Sequence, residues 1–213
     1  MKKRLVVFAV VALVCTCCAH ITAEENFDQF NAPPDISSDR PGENVALGKS
    51  YTLSPAPNYR YCTEAGDMTQ LTDGEYVEGY FWTQPGTVGW ANTNPAVIVL
   101  DLGEVQPIRG LSIHTAAGRA GVSWPLAIEI FVADEAGKFH FIGDLVELSA
   151  AHDLPPAHEY ATHRYWTDSL DTHGRYVGIA VNLQSFFFTD EIEVYAGEAA
   201  LLDRPLPGQE IGD

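Results

Sequence analysis

Basic residues are scarce in this chain of 213 residues. Lysine and arginine number 12 against 29 aspartates and glutamates, which leaves a formal net charge of −17. A surface this acidic repels the phosphates of nucleic acids and of anionic lipid headgroups. The composition therefore disfavours nucleic-acid binding and insertion into acidic membranes.

Cysteine is nearly absent beyond the N-terminal segment. Cys15, Cys17 and Cys18 lie within the first 23 residues, where they leave a lipid anchor open as an alternative that the bulky Val14 disfavours. Cys62 is the one cysteine in the rest of the chain, so no disulfide can form there and the fold must rest on its core. No base stands beside Cys62 in the sequence, so we interpret it as a small buried hydrophobe rather than a nucleophile.

Apolar runs are short everywhere. The longest follows three basic residues at positions 2–4, spans the 10 residues Leu5–Val14 and ends near small residues at Ala19 and Ala23. A bilayer requires ~20 apolar residues, so this pattern indicates an export signal rather than a membrane anchor. We expect a signal peptide over 1–23, cleaved after Ala19 or Ala23, and a secreted or extracytoplasmic protein of the periplasm or cell surface.

Helical periodicity is missing as well, so little helix is expected. Short blocks of valine, isoleucine and phenylalanine alternate with polar residues and predict strands instead. These lie at Ala96–Leu100, Arg109–His114, Leu126–Val132, Lys138–Ile142, Glu159–Trp166, Arg175–Val181 and Glu191–Tyr195. Turns are predicted at 103–107 and 134–137. Seven or eight strands with long loops at 53–95 and 145–160 predict an all-β fold of two packed antiparallel sheets, with function in the end loops.

Composition divides the chain into a core and two flanks. Residues 24–43 mix acidic residues, proline, serine and glycine without an apolar period, which predicts a flexible acidic tether. Residues 44–197 hold the predicted strands and form one β-sandwich domain. Residues 198–213 resemble the tether in composition and are predicted to be a flexible tail.

Three groups of residues carry a resemblance to a known family. They are Asn44–Lys49 as an opening strand, then Leu71–Gly74, Trp82–Thr83 and Val97–Gly103, and finally Arg175–Val177 with Glu191–Tyr195. In this order and spacing they resemble the discoidin domain, the coagulation factor 5/8 type C family. This family belongs to the galactose-binding-like jelly rolls, which include many carbohydrate-binding modules. The resemblance covers 44–197 and is more specific for fold than for ligand.

The resemblance implies a structural calcium ion. The family's acidic positions match Asp73, in an Asp-Gly turn, and Glu191, before the last strand, and carboxylates with backbone carbonyls suit Ca²⁺. Further backbone or hydroxyl oxygens would come from Gln70, Glu75, Thr83 and Asp190. The ion would fix the 66–84 loop to the last strand. Alternatively, Asp73 makes only an Asx turn and Glu191 is a solvated charge at the strand edge.

The resemblance also suggests where a sugar would bind. Side chains alternate in extended backbone, so at least one ring of Phe186–Phe188 is expected to be exposed at a loop tip. Relatives that bind sugars carry a stacking aromatic near this place, which makes Phe187 the first choice and Phe186 the second.

Four more residues are candidate sugar contacts on neighbouring loops: Arg119, His114, Trp90 and Asn92. For three of them the alternative is a role without ligand contact. Trp90 would plug the end of the sandwich, His114 would face solvent, and Arg119 would pair with an acid. Trp124, followed by proline, is interpreted as the entry to a strand.

No catalytic arrangement stands out in the sequence. The histidines at 152, 158, 163 and 173 have no metal-binding spacing, and Ser149 and Ser169 lack a nucleophile elbow. We therefore expect a non-catalytic module that recognises a glycan or cell-surface glycoconjugate. The alternatives are an extracellular protein-interaction or adhesion domain, and an orphan accessory domain related to carbohydrate-processing enzymes.

Overall fold

The computed structural model describes residues 40–157 and 159–211. The expected signal peptide, the tether before Arg40 and His158 lie outside these residues. Among the described residues, no helix combines the length and the hydrophobicity that crossing a membrane requires.

Strands make up most of the regular structure. In the described ranges they are β1 Ser50–Ser54, β2 Val88–Ala91, β3 Ala96–Ala117, β4 Ala127–Ala133, β5 Phe139–Asp144, β6 Ala161–Thr167, β7 Thr172–Asn182, β8 Phe186–Ala196 and β9 Gln209–Glu210. The helices are α1 Leu145–Ser149 and short 3₁₀ helices at Ala65–Met68, Gln70–Thr72, Phe81–Thr83 and Ala199–Asp203.

The 22-residue strand β3 belongs to both layers of the sandwich. Its first half pairs with β1 and β7, and β4, β5 and β9 continue that layer. Its second half pairs with β6 and β8, and β2 lies beyond β8. Residues from both layers, such as Ile98, Ile130 and Ile192, share one core and are fully buried. The predicted all-β antiparallel sandwich with little helix is confirmed.

Strand β3 corrects one predicted turn. The segment 103–107 was expected to reverse the chain between two strands, but it only bends a continuous one. Gly103 adopts a φ of +88°, and its N–H donates to Asp101 Oδ1 at 2.8 Å. The register with β7 shifts between Asp101 and Gln106. A bulge of this kind bends a strand so that its two halves can join different layers.

Other boundaries differ from the sequence prediction as well. The predicted opening strand, Asn44–Lys49, is a single bridge from Asn44 to Tyr195 followed by turns, and the first strand is β1. Strand β2 was not predicted because its four residues carry too little pattern. Strand β8 begins at Phe186, so the residues predicted to form a loop tip extend the strand.

Both flanks of the domain pack against it. The described part of the segment after 197 is therefore not the flexible tail that was predicted. Leu201 is buried, and β9 pairs with β5, so the chain is ordered against the sandwich up to Ile211. At the other flank, the guanidinium of Arg40 forms an ion pair with the buried carboxylate of Glu193. The last residues of the predicted tether are therefore anchored too.

Candidate functional site

Several loops converge at one end of the sandwich. Neighbouring strands end there in three registered pairs, Ala91 with Phe186, Ala117 with Ala161, and Ala127 with Asn182. The connections at these strand ends, 92–95, 118–126 and 183–185, therefore lie together. We call this region the loop end.

A tight turn after β3 presents Arg119 at the loop end. The N–H of Val122 donates to the carbonyl of Arg119 at 2.9 Å, and the N–H of Gly118 donates to the carbonyl of Val122 at 3.0 Å. Gly118 has a φ of +92°, and a Cβ there would lie 2.0 Å from the carbonyl oxygen of Glu159. Only glycine fits this close approach. The turn leaves the side chain of Arg119 exposed.

Arg119 and Trp124 line one cavity of about 470 Å³. Its other lining residues are Gly118, Ala120, Gly121, Val122, Ser123 and Ala157. Trp124 is half-buried, and its indole N–H donates to the carbonyl of Pro156 at 2.8 Å. Its ring meets His163 edge to face, with centroids 5.8 Å apart. The cavity thus combines a fixed aromatic ring with a guanidinium group.

Trp124 was predicted from the sequence only as the entry to a strand, and not as a candidate sugar contact. The available signal was its position five residues after Arg119, in the same glycine-containing loop. The period-two pattern that begins at Leu126 predicts only the strand that follows Trp124.

Phe186 lies beside Gly121, one of the residues that line this cavity, and belongs to an aromatic strip. Its ring is partly exposed and meets Tyr59 edge to face at 5.8 Å. A Cβ on Gly121 would lie 4.0 Å from Phe186 Cε2. Beyond Tyr59, the ring of Tyr61 lies 5.6 Å away and is 58% exposed. The strip extends the aromatic surface from the cavity across the loop end.

Asn92 also lies at the loop end. Its side chain is exposed, its φ is +52°, and its N–H donates to the carbonyl of Ser185 at 2.7 Å. Of the six predicted sugar contacts, Arg119, Phe186 and Asn92 are therefore accessible there.

Phe187 and Trp90 are core residues, which corrects their predicted place on the ligand surface. Phe187 is 2% exposed and Trp90 is fully buried. Their rings stack with centroids 5.9 Å apart, and Trp90 Nε1 donates to the carbonyl of Pro55 at 2.9 Å. Because β8 already begins at Phe186, strand alternation directs Phe187 into the core.

His114 is also buried, at 1% exposure, so neither its predicted ligand contact nor a solvent-facing position holds. Its Nδ1 lies 2.7 Å from Asp190 Oδ1. The rings of Tyr76 and Phe81 pack on it edge to face at 5.0 and 5.4 Å. These two residues belong to the segment after the Asp-Gly turn, which covers this part of β3.

The Asp-Gly turn meets the last long strand. The N–H of Gly74 donates to Glu191 Oε2 at 3.2 Å, while Asp73 Oδ1 accepts from the N–H of Glu75 at 2.8 Å as in an Asx turn. Glu191 is 1% exposed, so it is not the solvated charge of the alternative interpretation. Its Oε1 has no hydrogen-bond partner among the described residues.

The environment of Glu191 opposes its ionisation. Burial, reinforced by the nearby carboxylates of Glu193, Asp73 and Asp190, raises the pKa of Glu191 to about 9. The hydrogen bond from Gly74 opposes this shift only in part. A buried carboxylate with an unpartnered oxygen requires a proton or a cation.

The other predicted calcium ligands use their side chains elsewhere. Asp190 Oδ2 accepts from the N–H of Val77 at 2.9 Å, and Gln70 Nε2 donates to Asp67 at 3.3 Å. Thr83 donates to the carbonyl of Tyr80, and Glu75 is exposed. Within 40–157 and 159–211, no three histidine, cysteine, aspartate or glutamate side chains are grouped to hold a metal. Of the predicted ligands, Asp73 and Glu191 have carboxylates close enough at this turn to interact electrostatically.

Two solved structures share this architecture. One is a fucose-binding module of Streptococcus pneumoniae, with a TM-score of 0.50 and 16% identity over 73% of this chain and 99% of that one. The other is the lectin domain of lectinolysin in complex with Lewis B antigen, with a TM-score of 0.50 and 16% identity over 73% of this chain and 98% of that one. No family profile and no curated protein match the sequence. Likeness at this identity establishes the fold alone, and it agrees with the predicted antiparallel β-sandwich.

Proposed function

We propose that the chain is a non-catalytic, extracellular carbohydrate-binding module whose glycan binds at the loop end. The observation that carries this proposal is the cavity of about 470 Å³ lined by Arg119 and Trp124. The export signal expected from the sequence accounts for the location outside the cytoplasm.

The chemistry of the loop end suits a pyranose. The apolar face of a sugar ring stacks on an aromatic side chain, and its hydroxyls require a few fixed polar groups. Trp124 offers a ring held by Pro156, and Phe186 offers a second, partly exposed ring. The guanidinium of Arg119 carries several donors for ring oxygens and hydroxyls.

The structural relatives support the same class of ligand. One of them is a fucose-binding module, and the other was solved with the Lewis B antigen. In this chain a single open cavity gives few buried contacts, so we expect weak binding to one sugar unit. Useful affinity would then come from clustered modules or repeated glycans.

We also propose that Ca²⁺ stabilises the module beside the Asp-Gly turn, where Asp73 and Glu191 would hold it. The unpartnered Oε1 of Glu191 and the adjacent carboxylate suit a hard cation with oxygen ligands. When bound, the ion supplies a positive charge that keeps Glu191 ionised. The protein's own contribution is the hydrogen bond from Gly74, which orients that carboxylate.

A glycan array tests the proposed function. The wild-type protein is expected to bind a defined subset of glycans, and the double variant Arg119→Ala, Trp124→Ala to lose at least tenfold in signal on them. Arg204→Ala is the matched control, because Arg204 is also an exposed arginine but lies outside the loop end. No binding above the double variant would refute the proposal. Capture of a protein from cell-envelope extract that free sugar does not reverse would favour the adhesion alternative.

A further inference from the structure

A second groove, on the outer face of the larger layer, is independent of the loop end. Its volume is about 370 Å³, and it shares no lining residue with the loop-end cavity. The lining residues are Glu129, Phe131, Phe141, Gln209 and Ile211. Ile128, Ile130 and Val132 of β4 are buried in the core, so the alternate residues Glu129 and Phe131 face outward.

Aromatic rings form the floor of this groove. Phe131 and Phe141 are partners in the register of β4 and β5, and their ring centroids lie 5.6 Å apart at 58°. Phe141 is 38% exposed. The residue opposite Phe131 on β7 is Gly178, so no side chain from that position covers the ring.

One negative charge stands beside the rings without a basic partner. Glu129 Oε2 accepts a long hydrogen bond of 3.4 Å from Asn182, and within the described ranges Glu129 forms no ion pair with lysine or arginine. Lys138, at the same edge of the sheet, pairs with Glu210. In a chain of net charge −17, this groove is complementary to a cationic ligand rather than to an acidic one.

The backbone below the groove favours a sugar over a peptide. Strand β4 is paired on both sides, with β5 and β7, and β5 is paired with β4 and β9. A peptide lying in the groove would thus gain no main-chain hydrogen bonds from β4, or from the part of β5 at Phe139–Phe141 that pairs with the segment 209–211. Recognition has to come from side chains, and exposed phenylalanine rings beside a carboxylate and an amide suit a pyranose that carries an ammonium group.

We propose that this groove binds oligosaccharides of amino sugars with free amino groups. Phe141 stacks on the sugar ring, Glu129 pairs with the ammonium group, and Gln209 forms hydrogen bonds to hydroxyls. The chain would then carry two separate glycan sites.

Titration calorimetry with a glucosamine tetrasaccharide and its fully N-acetylated form tests the proposal. Acetylation removes the positive charge, so the acetylated form should bind at least about fivefold more weakly. Glu129→Gln should remove most of that difference, and Phe141→Ala should weaken the amine form about tenfold. Phe141 is exposed enough for its truncation to leave the fold intact, and the melting temperature of each variant verifies this.

Two controls distinguish binding in this groove from general attraction to an acidic surface and from binding at the loop end. Glu104→Gln removes an exposed carboxylate elsewhere and should leave binding unchanged; a loss equal to that of Glu129→Gln would mean general attraction to an acidic surface and overturn the proposal. The background Arg119→Ala, Trp124→Ala removes the loop-end site, and in it the amine form should still bind and should still lose affinity on Glu129→Gln. Loss of binding in that background would assign the binding to the loop end. No binding of the amine form, or binding of a lysine-rich peptide in its place, would also overturn the proposal.

Discussion

Glu191 and Gly74 lie 117 residues apart in the chain and meet through a hydrogen bond of 3.2 Å. This contact joins the Asp-Gly turn to β8 through one carboxylate oxygen and leaves the other without a partner. The attachment of the turn therefore depends on what neutralises Glu191. A proton and a calcium ion are the two candidates, and they differ in their response to pH.

Without calcium, the protein should lose stability as pH rises. Burial raises the pKa of Glu191 from its ordinary value of 4.5 to about 9. The folded state therefore retains a proton that the unfolded state releases, so the stabilisation is complete below pH 4.5 and is lost progressively toward pH 9. Melting temperatures measured with a chelator across this window should fall.

Calcium should remove this pH dependence, because the ion replaces the proton on Glu191. Glu191→Gln, which imitates the protonated carboxyl group, should flatten the pH profile and abolish the response to calcium. Glu75→Gln, an exposed carboxylate of the same loop, is the matched control and should keep both responses. Equal melting temperatures with and without calcium in the wild-type protein would show that calcium does not stabilise it.

Adjacent phenylalanines should have opposite roles. Phe187→Ala opens a cavity beside Trp90 in the core and should cost about 3–5 kcal/mol of unfolding free energy. Phe186→Ala removes a partly exposed ring and should lower stability much less while weakening glycan binding at the loop end. Denaturant unfolding and glycan titration of both variants measure the difference. Similar stability losses would mean that both rings are structural.

The strands were predictable where the pattern is local. The alternation from Leu126 to Val132 and the turn before Lys138 lie within single stretches of sequence, and the structure has β4, β5 and the hairpin there. The bend in β3 was not predictable, because it depends on pairing with β7 across some 70 residues. Period-two alternation alone does not reveal whether such a segment reverses or continues.

The candidate site was predicted only in part, for a related reason. Which ring of Phe186–Phe188 is exposed depends on where β8 begins, and β2, whose pattern is too short to predict, pairs with that very segment. Likewise, His114 sits on a strand that looks half exposed, but the rings of Tyr76 and Phe81 cover it. Burial by a distant loop leaves no signal in local sequence.

The turn that presents Arg119 should depend on Gly118. Gly118→Ala would place a Cβ 2.0 Å from the carbonyl oxygen of Glu159 and should destabilise the protein by about 2–4 kcal/mol while abolishing glycan binding. Gly137→Ala is the control, since its φ of +76° is similar but its Cβ would meet nothing within 4 Å. That variant should lose only about 1 kcal/mol and bind normally. Equal losses in the two variants would attribute the effect to backbone conformation alone.

The ion pair between Arg40 and Glu193 should contribute to the stability of the whole domain. Glu193 is fully buried and also accepts a hydrogen bond from the hydroxyl of Tyr195 at 2.6 Å. Arg40→Ala leaves that carboxylate without its cation, and because the arginine is 38% exposed, solvent should limit the loss to about 1–3 kcal/mol. Chemical denaturation measures it, with Arg204→Ala as the exposed arginine control. The double variant Arg40→Ala, Glu193→Gln should regain part of the loss, since it removes the unpaired charge. A double variant that is less stable than Arg40→Ala would show that Glu193 acts mainly through Tyr195 and not through the ion pair.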